Sequence, residues 1–303
     1  MSTMSAPESA VPAVTPTPSA AAVAKKKLSS PWASLVAVVI ATLWTLPTFG
    51  LAVSSLRPER QIKTTGWWTF FTDPQVTLDN YRAVLATEGS GGLGSFFVNS
   101  LVITIPSVII PICLAALAAY AFAWIKFPGR NVLFVMVFAL QIVPIQVTLI
   151  PLLSLFVSAG IAGSFWTLWL AHSTFALPLA IFLLHNFMKE VPAGLLEAAR
   201  IDGAGHRQIF FRVLLPLLRP ALAAFGIFQF LWVWNDLLVA LTFAGGGEAA
   251  PITVALANLT GTRGTAWHLL SAGAFVSIIV PVTVFLLLQR YFVRGLLAGG
   301  IKG

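Results

Sequence analysis

Six apolar segments, each long enough to cross a membrane, constrain the fold of this chain more than any other feature. They lie at about 32–54, 96–124, 132–157, 164–188, 218–243 and 267–292. A helix crosses the hydrocarbon core of a bilayer with about 20 apolar residues. A membrane barrel would instead show short strands of alternating polarity. The sequence therefore predicts an all-α fold, a polytopic membrane bundle of six transmembrane helices.

The overall composition agrees with that prediction. Hydrophobic residues make up 58% of the 303-residue chain and charged residues only 9%, whereas a soluble globular chain carries about a quarter charged residues. One membrane bundle accounts for this length, with no room for a second large soluble domain. Cys113 is the single cysteine, which excludes a disulfide within the chain and a cysteine-based metal site. No metal site and no catalytic residue is predicted.

Basic residues determine the predicted orientation of the bundle. Cytoplasmic loops of a membrane protein carry an excess of Lys and Arg. If the N-terminus lies inside, the outer side receives only Arg57, Arg60, Lys63, Arg82 and Arg263, and all other Lys and Arg residues face the cytoplasm. The opposite orientation would reverse this bias. We therefore predict a multi-pass protein of the cytoplasmic membrane with both termini in the cytoplasm.

The connection between the fourth and fifth segments, "KEVPAGLLEAARIDGAGHRQIFFRVLLPLLRP", carries most of the charge in its neighbourhood. Its pattern predicts a helix, a turn that needs positive φ at either Gly203 or Gly205, and a second helix. The predicted apolar faces consist of Leu195, Leu196 and Ala199 on the first helix and of Ile209, Phe210, Val213 and Leu214 on the second. An amphipathic loop on the inner leaflet is one interpretation. The alanine-rich first helix favours another, a stiff projection that fits a cleft on a partner protein.

This connection resembles the signature of the membrane subunits of bacterial ATP-binding cassette (ABC) importers, in which E-A-A and D-G-A precede an apolar stretch ending in Pro. The matching residues are Glu197, Ala198, Ala199, Asp202, Gly203, Ala204, Phe210, Leu215 and Pro216. "FFVNSLVIT", with Asn99 and Ser100, resembles the start of the permease core, and "QVTLIPLLSLF" and "VWNDLLVAL" resemble the carbohydrate branch. The ending "QRYFVRGLLAGGIKG" is similar to the C-terminus of the maltose-type second permease. The resemblance extends over nearly the whole chain.

The resemblance implies a permease subunit of a type I ABC importer with a cytoplasmic coupling helix. The implied partners are a second permease chain in a heterodimer, a homodimeric ABC ATPase and an extracytoplasmic sugar-binding protein, within a lipid bilayer and without nucleic acid. The residues that it assigns to ATPase coupling are Glu197, Ala198, Ala199, Arg200, Asp202, Gly203 and Ala204. The C-terminal residues Gly299, Gly300, Lys302 and Gly303 would reach between the ATPase subunits. An ion pair of Glu197 with Arg200 and a local cap by Asp202 are alternatives.

The implied domains follow the composition of the chain. Residues 1–28 are predicted to be a disordered cytoplasmic tail, because they are rich in Ala, Pro, Ser and Thr and cannot bury enough apolar surface. The permease domain is predicted at 29–292 with its coupling loop at 189–217, and a cytoplasmic tail at 293–303. No G-x-x-x-x-G-K-[ST] phosphate loop is present. The chain is therefore predicted to be a non-catalytic subunit that binds no cofactor, with ATP and Mg²⁺ held by the partner ATPase.

Polar residues inside the spans are candidates for the translocation pathway. Asp236 is a carboxylate within a predicted span, where charge is costly and often functional. The candidates for the pathway or its gate are Trp234, Asn235, Asp236, Asn99 and Gln141. For Asp236 the alternative is a hydrogen-bonded tie between helices. Gln141 and Gln146, on either side of Pro144, either touch substrate or join helices.

The predicted substrate, from overall resemblance, is an oligosaccharide or α-glucoside. In the maltose-type systems that this chain resembles, the partner permease holds the sugar, so little direct contact is expected here. One alternative keeps the class and changes the cargo to glycerol phosphate, a polyamine or a peptide. Another is an ion-coupled secondary transporter, which would need broken helices in paired positions of two inverted halves. A membrane anchor for a signalling complex would need no polar pathway.

Overall fold

The computed structural model of the protein describes residues 31–86, 92–260 and 266–300, and at 260 and 290–300 it describes the backbone only. The predicted tail at 1–28 lies outside the described residues, as do Lys302 and Gly303. Gly299 and Gly300 are the last two positions of the final helix. Every regular element in the described ranges is helical, which confirms the predicted all-α class.

Thirteen helices follow one another in the described parts of the chain. They are α1 (Pro31–Ser55), α2 (Glu59–Thr64), α3 (Asp79–Leu85), α4 (Gly94–Trp124), α5 (Arg130–Ala139), α6 (Ile145–Ser158), α7 (Phe165–Glu190), α8 (Ala193–Ile201), α9 (His206–Leu217), α10 (Arg219–Trp234), α11 (Leu238–Phe243), α12 (Ile252–Thr260) and α13 (Trp267–Gly300). Short 3₁₀ turns occur at Trp67–Phe71 and Leu140–Ile142. The central part of α9, Ile209–Leu214, is π-helical.

Four of the six predicted spans are single long helices, namely α1, α4, α7 and the part of α13 at Trp267–Gln289. The third predicted span is bent, because α5 and α6 meet at 101°. The fifth begins with α10, which is bent by 70° against α9 of the preceding connection. By length and composition, the described residues contain four single candidate spans, or up to six if each bent pair is one span.

The third predicted span, 132–157, is wrong as one continuous helix. After the 3₁₀ turn, Val143 (φ −70°, ψ 119°) and Pro144 (φ −60°, ψ 130°) have extended backbone conformations before α6 begins. Proline lacks the N–H that would continue the helix, and its ring disfavours helical geometry at the preceding residue. Pro144 thus explains the break.

The fifth predicted span, 218–243, is also interrupted, at 235–237. The carboxylate of Asp236 accepts backbone hydrogen bonds from Val239 at 3.3 Å and Ala240 at 2.9 Å. These bonds satisfy two of the donors that a helix leaves unpaired at its N-terminus. The side chain of Asp236 therefore starts a new helix, α11, where the apolar pattern alone predicts continuation.

α1 lies largely in a compact unit of its own, which ends at Leu51. Within α1, the hydroxyl groups of Thr42 and Thr45 donate to the carbonyls of Val38 and Ala41 at 2.8 and 2.7 Å. Hydrogen bonds to the preceding turn allow threonine in an apolar helix without an unsatisfied hydroxyl.

The second unit, from Ala52 onward, is built around the pairing of α4 with α7. Small side chains line their contact: Ala115, Ala119 and Ala180 are 0% exposed, and Ala116 and Ala176 are also buried. Membrane helices approach each other closely where small residues face each other. α10 packs against both α4 and α13. This arrangement places the end of α7 and the start of α10 close together, and the loop between them emerges from one end of the bundle.

The connection between α1 and α4 is organised around Arg57, whose side chain is only 1% exposed. Its guanidinium donates hydrogen bonds of 2.5–3.3 Å to the carbonyl of Gly66 and to the side chains of Gln61, Thr65 and Thr69. Burial lowers the pKa of Arg57 below its usual value, and the nearby carboxylate of Asp73 opposes that shift. Hydrogen bonds to charged groups are stronger than neutral ones. Arg57 therefore holds this connection in one conformation.

Replacement of Arg57 by Met is expected to destabilise the protein by about 2–4 kcal/mol, because the four hydrogen bonds of a buried guanidinium are lost together. The midpoint of thermal unfolding in detergent should fall by roughly 5–10 °C. Arg60→Met is the matched control, since Arg60 is exposed on α2. Equal losses in the two variants would contradict the stabilising role of the Arg57 contacts.

Candidate functional site

The chain between α7 and α10 forms the predicted helix, turn and helix. α8 ends at Ile201, with Asp202 as its C-cap. Gly203 has φ +81°, whereas Gly205 is extended with φ −75°. The N–H of Gly203 donates to the carbonyl of Arg200 at 3.0 Å, and that of Ala204 to the carbonyl of Ala199 at 2.9 Å. This pair of bonds is the Schellman motif, in which a residue with positive φ ends a helix. Of the two predicted positions, Gly203 is the one that adopts positive φ.

The inner surface of this helical pair packs against the bundle. Leu196, Ile209 and Leu214 are at most 1% exposed, and they belong to the same apolar cluster as the alanines of α4 and α7. Phe210 is also buried, which confirms most of the predicted faces. Leu195 is the exception. α8 contacts the bundle through the side chain of Leu196, and the neighbouring side chain of Leu195 is 45% exposed.

The outer surface of α8 carries Glu197 and Ala198 of the E-A-A signature, whereas Ala199 is half-buried and packs against the bundle. Glu197, Ala198, Arg200 and Asp202 are exposed, and Ile201 is 86% exposed at the tip. No ion pair joins Glu197 to Arg200 among the residues that the structure describes, so the predicted local pair is not formed there. A short helix with a charged and small-residue outer face, an apolar inner face and a tight C-cap is a stiff projection from the bundle.

A contact that sequence reasoning missed joins this projection to α4. The hydroxyl of Tyr120 lies 2.7 Å from Nδ1 of His206, the first residue of α9. The ring of Tyr120 also packs against that of Phe210, with centroids 5.4 Å apart. These residues are separated by about 90 positions of chain, and no local pattern pairs them. The tie connects α9 to a helix other than the two that flank it in sequence.

Asn99, a predicted pathway residue, fastens a loop. Its side-chain amide donates to the carbonyls of Glu248 at 2.7 Å and Ala250 at 2.9 Å. The neighbouring Ser100 hydroxyl accepts the N–H of Ile252 at 2.9 Å, at the first turn of α12. The "NS" pair of α4 therefore anchors the segment between α11 and α12.

Trp234, Asn235 and Asp236 lie at the break between α10 and α11. Trp234 is 2% exposed, and its indole N–H donates to the carbonyl of Ser277 on α13 at 3.1 Å. Asn235 is exposed. The backbone carbonyl of Asp236 accepts a hydrogen bond from the hydroxyl of Thr253 at 2.6 Å. Trp234 therefore packs inside the bundle. The carboxylate of Asp236 lies 3.9 Å from Nε2 of His172 on α7, so its contacts match the alternative of a tie between helices, and the place of both residues in the pathway stays a prediction.

Replacement of Asp236 by Ala should lower the stability of the detergent-solubilised protein by about 1–2 kcal/mol, because α11 loses the acceptor at its N-terminus. Asp236→Asn keeps a side-chain oxygen and should retain most of that stability. Thermal unfolding of both variants measures the difference. If Asp236→Asn destabilises the protein as much as Asp236→Ala, the negative charge of Asp236 provides the stability and its role as a hydrogen-bond acceptor at the start of α11 is wrong.

A cavity of about 310 Å³ lies at the break between α5 and α6 and extends to α7 and α10. Its polar lining consists of Gln141, Gln146, His172 and Gln229, and its aromatic lining includes Phe228 and Trp232. Gln229 and His172 are 4% and 3% exposed, whereas Gln141 and Gln146 stand at its open side. Among the described residues that line it, none is acidic, and His172 is the one side chain that can take a charge. Of the predicted pathway residues, Gln141 reaches this cavity.

Comparison with known proteins agrees with these features. Residues 111–297 match the family described as binding-protein-dependent transport system inner membrane component. The osmoprotective compounds uptake permease protein GgtD of Synechocystis sp. is 53% identical over 270 residues, 88% of this chain and 90% of that protein. The alpha-glucoside transport system permease protein AglG of Rhizobium meliloti is 51% identical over 243 residues, 78% of this chain and 63% of that protein.

A solved structure shares the fold. It is a bacterial ABC transporter involved in the import of the acidic polysaccharide alginate, and its matching chain has a TM-score of 0.68 at 20% identity, with 92% of this chain and 100% of that chain covered. The matched family, the apolar helices and this shared fold confirm the predicted resemblance. The chain is a multi-pass membrane protein that belongs to the family of binding-protein-dependent transport system inner membrane components, the permeases of ABC importers.

Proposed function

We propose that this protein is the transmembrane permease subunit of an ATP-driven, binding-protein-dependent importer of an oligosaccharide or α-glucoside. The observation that carries the proposal is the α8–α9 projection, which has a packed inner face and an exposed outer face with Glu197 and Ala198. A bundle that moves a solute uphill needs an energy source outside itself, because this chain has no phosphate loop. A stiff projection fastened to several helices transmits the motion of such a partner.

In this proposal the outer face of α8 contacts the ATPase. Glu197 pairs with a basic residue of the ATPase groove, Ala198 and Ala199 allow close approach, and the turn at Gly203 fixes the direction of α9. Both termini lie in the cytoplasm, as the distribution of Lys and Arg favours. The same orientation places the α8–α9 projection on the ATPase side of the membrane.

The proposed complex contains two different permease chains, an ATPase homodimer and an extracytoplasmic sugar-binding protein. ATP and Mg²⁺ bind to the ATPase, and this chain is not an enzyme. The C-terminal residues Gly299, Gly300, Lys302 and Gly303 reach between the ATPase subunits. The substrate proposal is supported by the name of AglG, an alpha-glucoside permease, and is compatible with that of GgtD, which takes up osmoprotective compounds.

The test is reconstitution of the chain with the second permease, the ATPase and the solute-binding protein encoded beside it. ATP hydrolysis is measured with the binding protein empty and loaded with maltose, trehalose or sucrose, three α-linked disaccharides. The proposal expects stimulation by at least one loaded form. Stimulation by glycerol 3-phosphate or a polyamine alone would replace the sugar with another cargo. An ATPase that neither binds this chain nor responds to it would contradict the whole assignment.

A further inference from the structure

The break at Val143 and Pro144 lies near the middle of the third span, where the bilayer offers no water to an unpaired backbone. The 3₁₀ turn ends with the N–H of Val143 bonded to the carbonyl of Leu140 at 3.2 Å, and Pro144 has no N–H to donate. Non-helical backbone at membrane depth is tolerated where it is buried in protein or lines a water-filled cavity. The 310 Å³ cavity lies directly at this break, and the amides of Gln141 and Gln146 line it there, so polar groups stand beside the interrupted backbone.

Amide side chains from three helical segments converge on this cavity. Gln141 and Gln146 flank the break, and Gln229 reaches the cavity from α10. Gln229 is 4% exposed, and its amide makes one long hydrogen bond of 3.4 Å to the carbonyl of Ser107. Each glutamine amide offers two donor hydrogens and an acceptor oxygen. This lining can both donate to and accept from the hydroxyl groups of a bound solute.

The cavity also has an aromatic wall. Phe228 and Trp232 occupy successive turns of α10, with ring centroids 5.8 Å apart, and both are about half exposed. Solute sites are typically lined by apolar and aromatic groups with a few placed polar ones. Aromatic rings can cover the apolar C–H face of a sugar ring, while amides bond to its edge.

The charge of the lining selects the class of solute. No described residue on the cavity wall is a Lys, Arg, Asp or Glu, and the one ionisable side chain there, His172, is 3% exposed and lies 3.9 Å from the carboxylate of Asp236. A phosphate or polyamine taken into such a space would lose its hydration without gaining an opposite charge, which is strongly unfavourable. A solute with many hydroxyl groups and no net charge loses its hydrogen bonds to water but gains hydrogen bonds to the glutamine amides of the cavity.

We infer that this chain carries a subsite of its own for an uncharged, polyhydroxylated solute, formed by Gln141, Gln146, Gln229, Phe228 and Trp232 at the α5–α6 break. The inference rests on the proposed importer function and deepens it. It differs from the expectation that the partner permease alone holds the sugar. The solute contacts this chain as it passes the centre of the membrane.

The test uses the complete importer in proteoliposomes and follows uptake of radiolabelled maltose, or of trehalose or sucrose if one of them is the sugar transported. Gln146→Leu and Gln229→Leu each remove an amide at nearly constant size. Each should lower uptake about 3- to 10-fold at saturating binding protein, since each removes a hydrogen bond to solute. The matched control is Gln289→Leu, on an exposed position of α13 outside the cavity, and should change uptake less than about twofold.

Basal ATP hydrolysis and affinity for the loaded binding protein should stay at wild-type levels in both cavity variants. Trp232→Ala should lower uptake, and Trp232→Phe, which keeps an aromatic face, should restore most of it. If cavity variants and Gln289→Leu behave alike while the wild type imports sugar, the subsite is refuted and the importer function stands. Loss of basal hydrolysis in parallel with uptake would show a structural role and would also refute the subsite.

A wild-type complex that imports none of the three disaccharides contradicts the proposed sugar substrate, and the subsite inference fails with it. A complex that imports glycerol 3-phosphate instead has the same consequence, because a phosphate finds no Lys or Arg on the described cavity wall. These outcomes are read from the wild type alone. They are therefore distinguishable from failure of the subsite, which is read from the variants.

Discussion

Replacement of Gly203 by proline is expected to reduce sugar-stimulated ATP hydrolysis of the reconstituted importer about tenfold or more. Gly203 has φ +81°, whereas proline is restricted to a φ near −65°. The substitution also removes the hydrogen bond from the Gly203 N–H to the carbonyl of Arg200. The Schellman motif would be lost, and α8 would take a different angle to α9. Assembly of the membrane chains should persist, because the packed residues of both helices are unchanged.

Gly205→Pro is the matched control two residues away. Gly205 has φ −75° and ψ 169°, which proline accepts, and a Cβ at either glycine would meet no atom within 4 Å. Its N–H is lost in the variant, but that group bonds only the side chain of Gln208, at an exposed position. ATP hydrolysis in the Gly205 variant should remain within about twofold of wild type. A comparable loss at both positions would show that the turn geometry of Gly203 is not what couples the chains.

Reversal of charge at Glu197 should weaken association of the ATPase with the permease chains by at least about 30-fold, equivalent to about 2 kcal/mol. Glu197 is exposed and forms no ion pair within the described chain, so its carboxylate is available to a partner. In Glu197→Lys a positive charge would face the proposed basic groove. Copurification and equilibrium binding of the ATPase measure the effect, and Glu197→Gln should lie between wild type and Lys.

Glu190→Lys is the control for charge on the same loop. Glu190 is exposed at the end of α7, outside the E-A-A signature. Its reversal should leave ATPase binding within about threefold of wild type, since rim charges contribute little to affinity. Equal weakening by both reversals would indicate a general electrostatic attraction between loop and ATPase, and would contradict a specific contact at Glu197.

The elements that the sequence predicts well are those with a strong local signal. Apolar length identifies the spans, and the glycine-containing turn after an alanine-rich helix identifies α8 and α9. The two candidate glycines illustrate the limit of that signal. Both can adopt positive φ. The structure selects Gly203, whose N–H and that of Ala204 close the Schellman motif at the end of α8.

Features that depend on distant contacts were not predictable. The hydrogen bond from Tyr120 to His206 joins helices that no local pattern pairs. The hydrogen bonds of Asn99 to Glu248 and Ala250 likewise join residues far apart in sequence. The helix breaks are an intermediate case. Pro144 was visible in the sequence, but proline is common in membrane helices and often only bends them. The effect of Asp236 required its contact with the N–H groups of Val239 and Ala240.

The alanine seam between α4 and α7 has a consequence for motion. Alanine has no side-chain rotamers to rearrange, so two helices joined through Ala115, Ala119 and Ala180 move most easily as one rigid body. A displacement of the α8–α9 projection would reach α7 through the chain and α4 through Tyr120. The breaks at 143–144 and 235–237 interrupt the helices and are the places where such a displacement would be absorbed. In the proposed importer, a movement that begins at the ATPase would therefore change the shape of the 310 Å³ cavity, because the first break lines it.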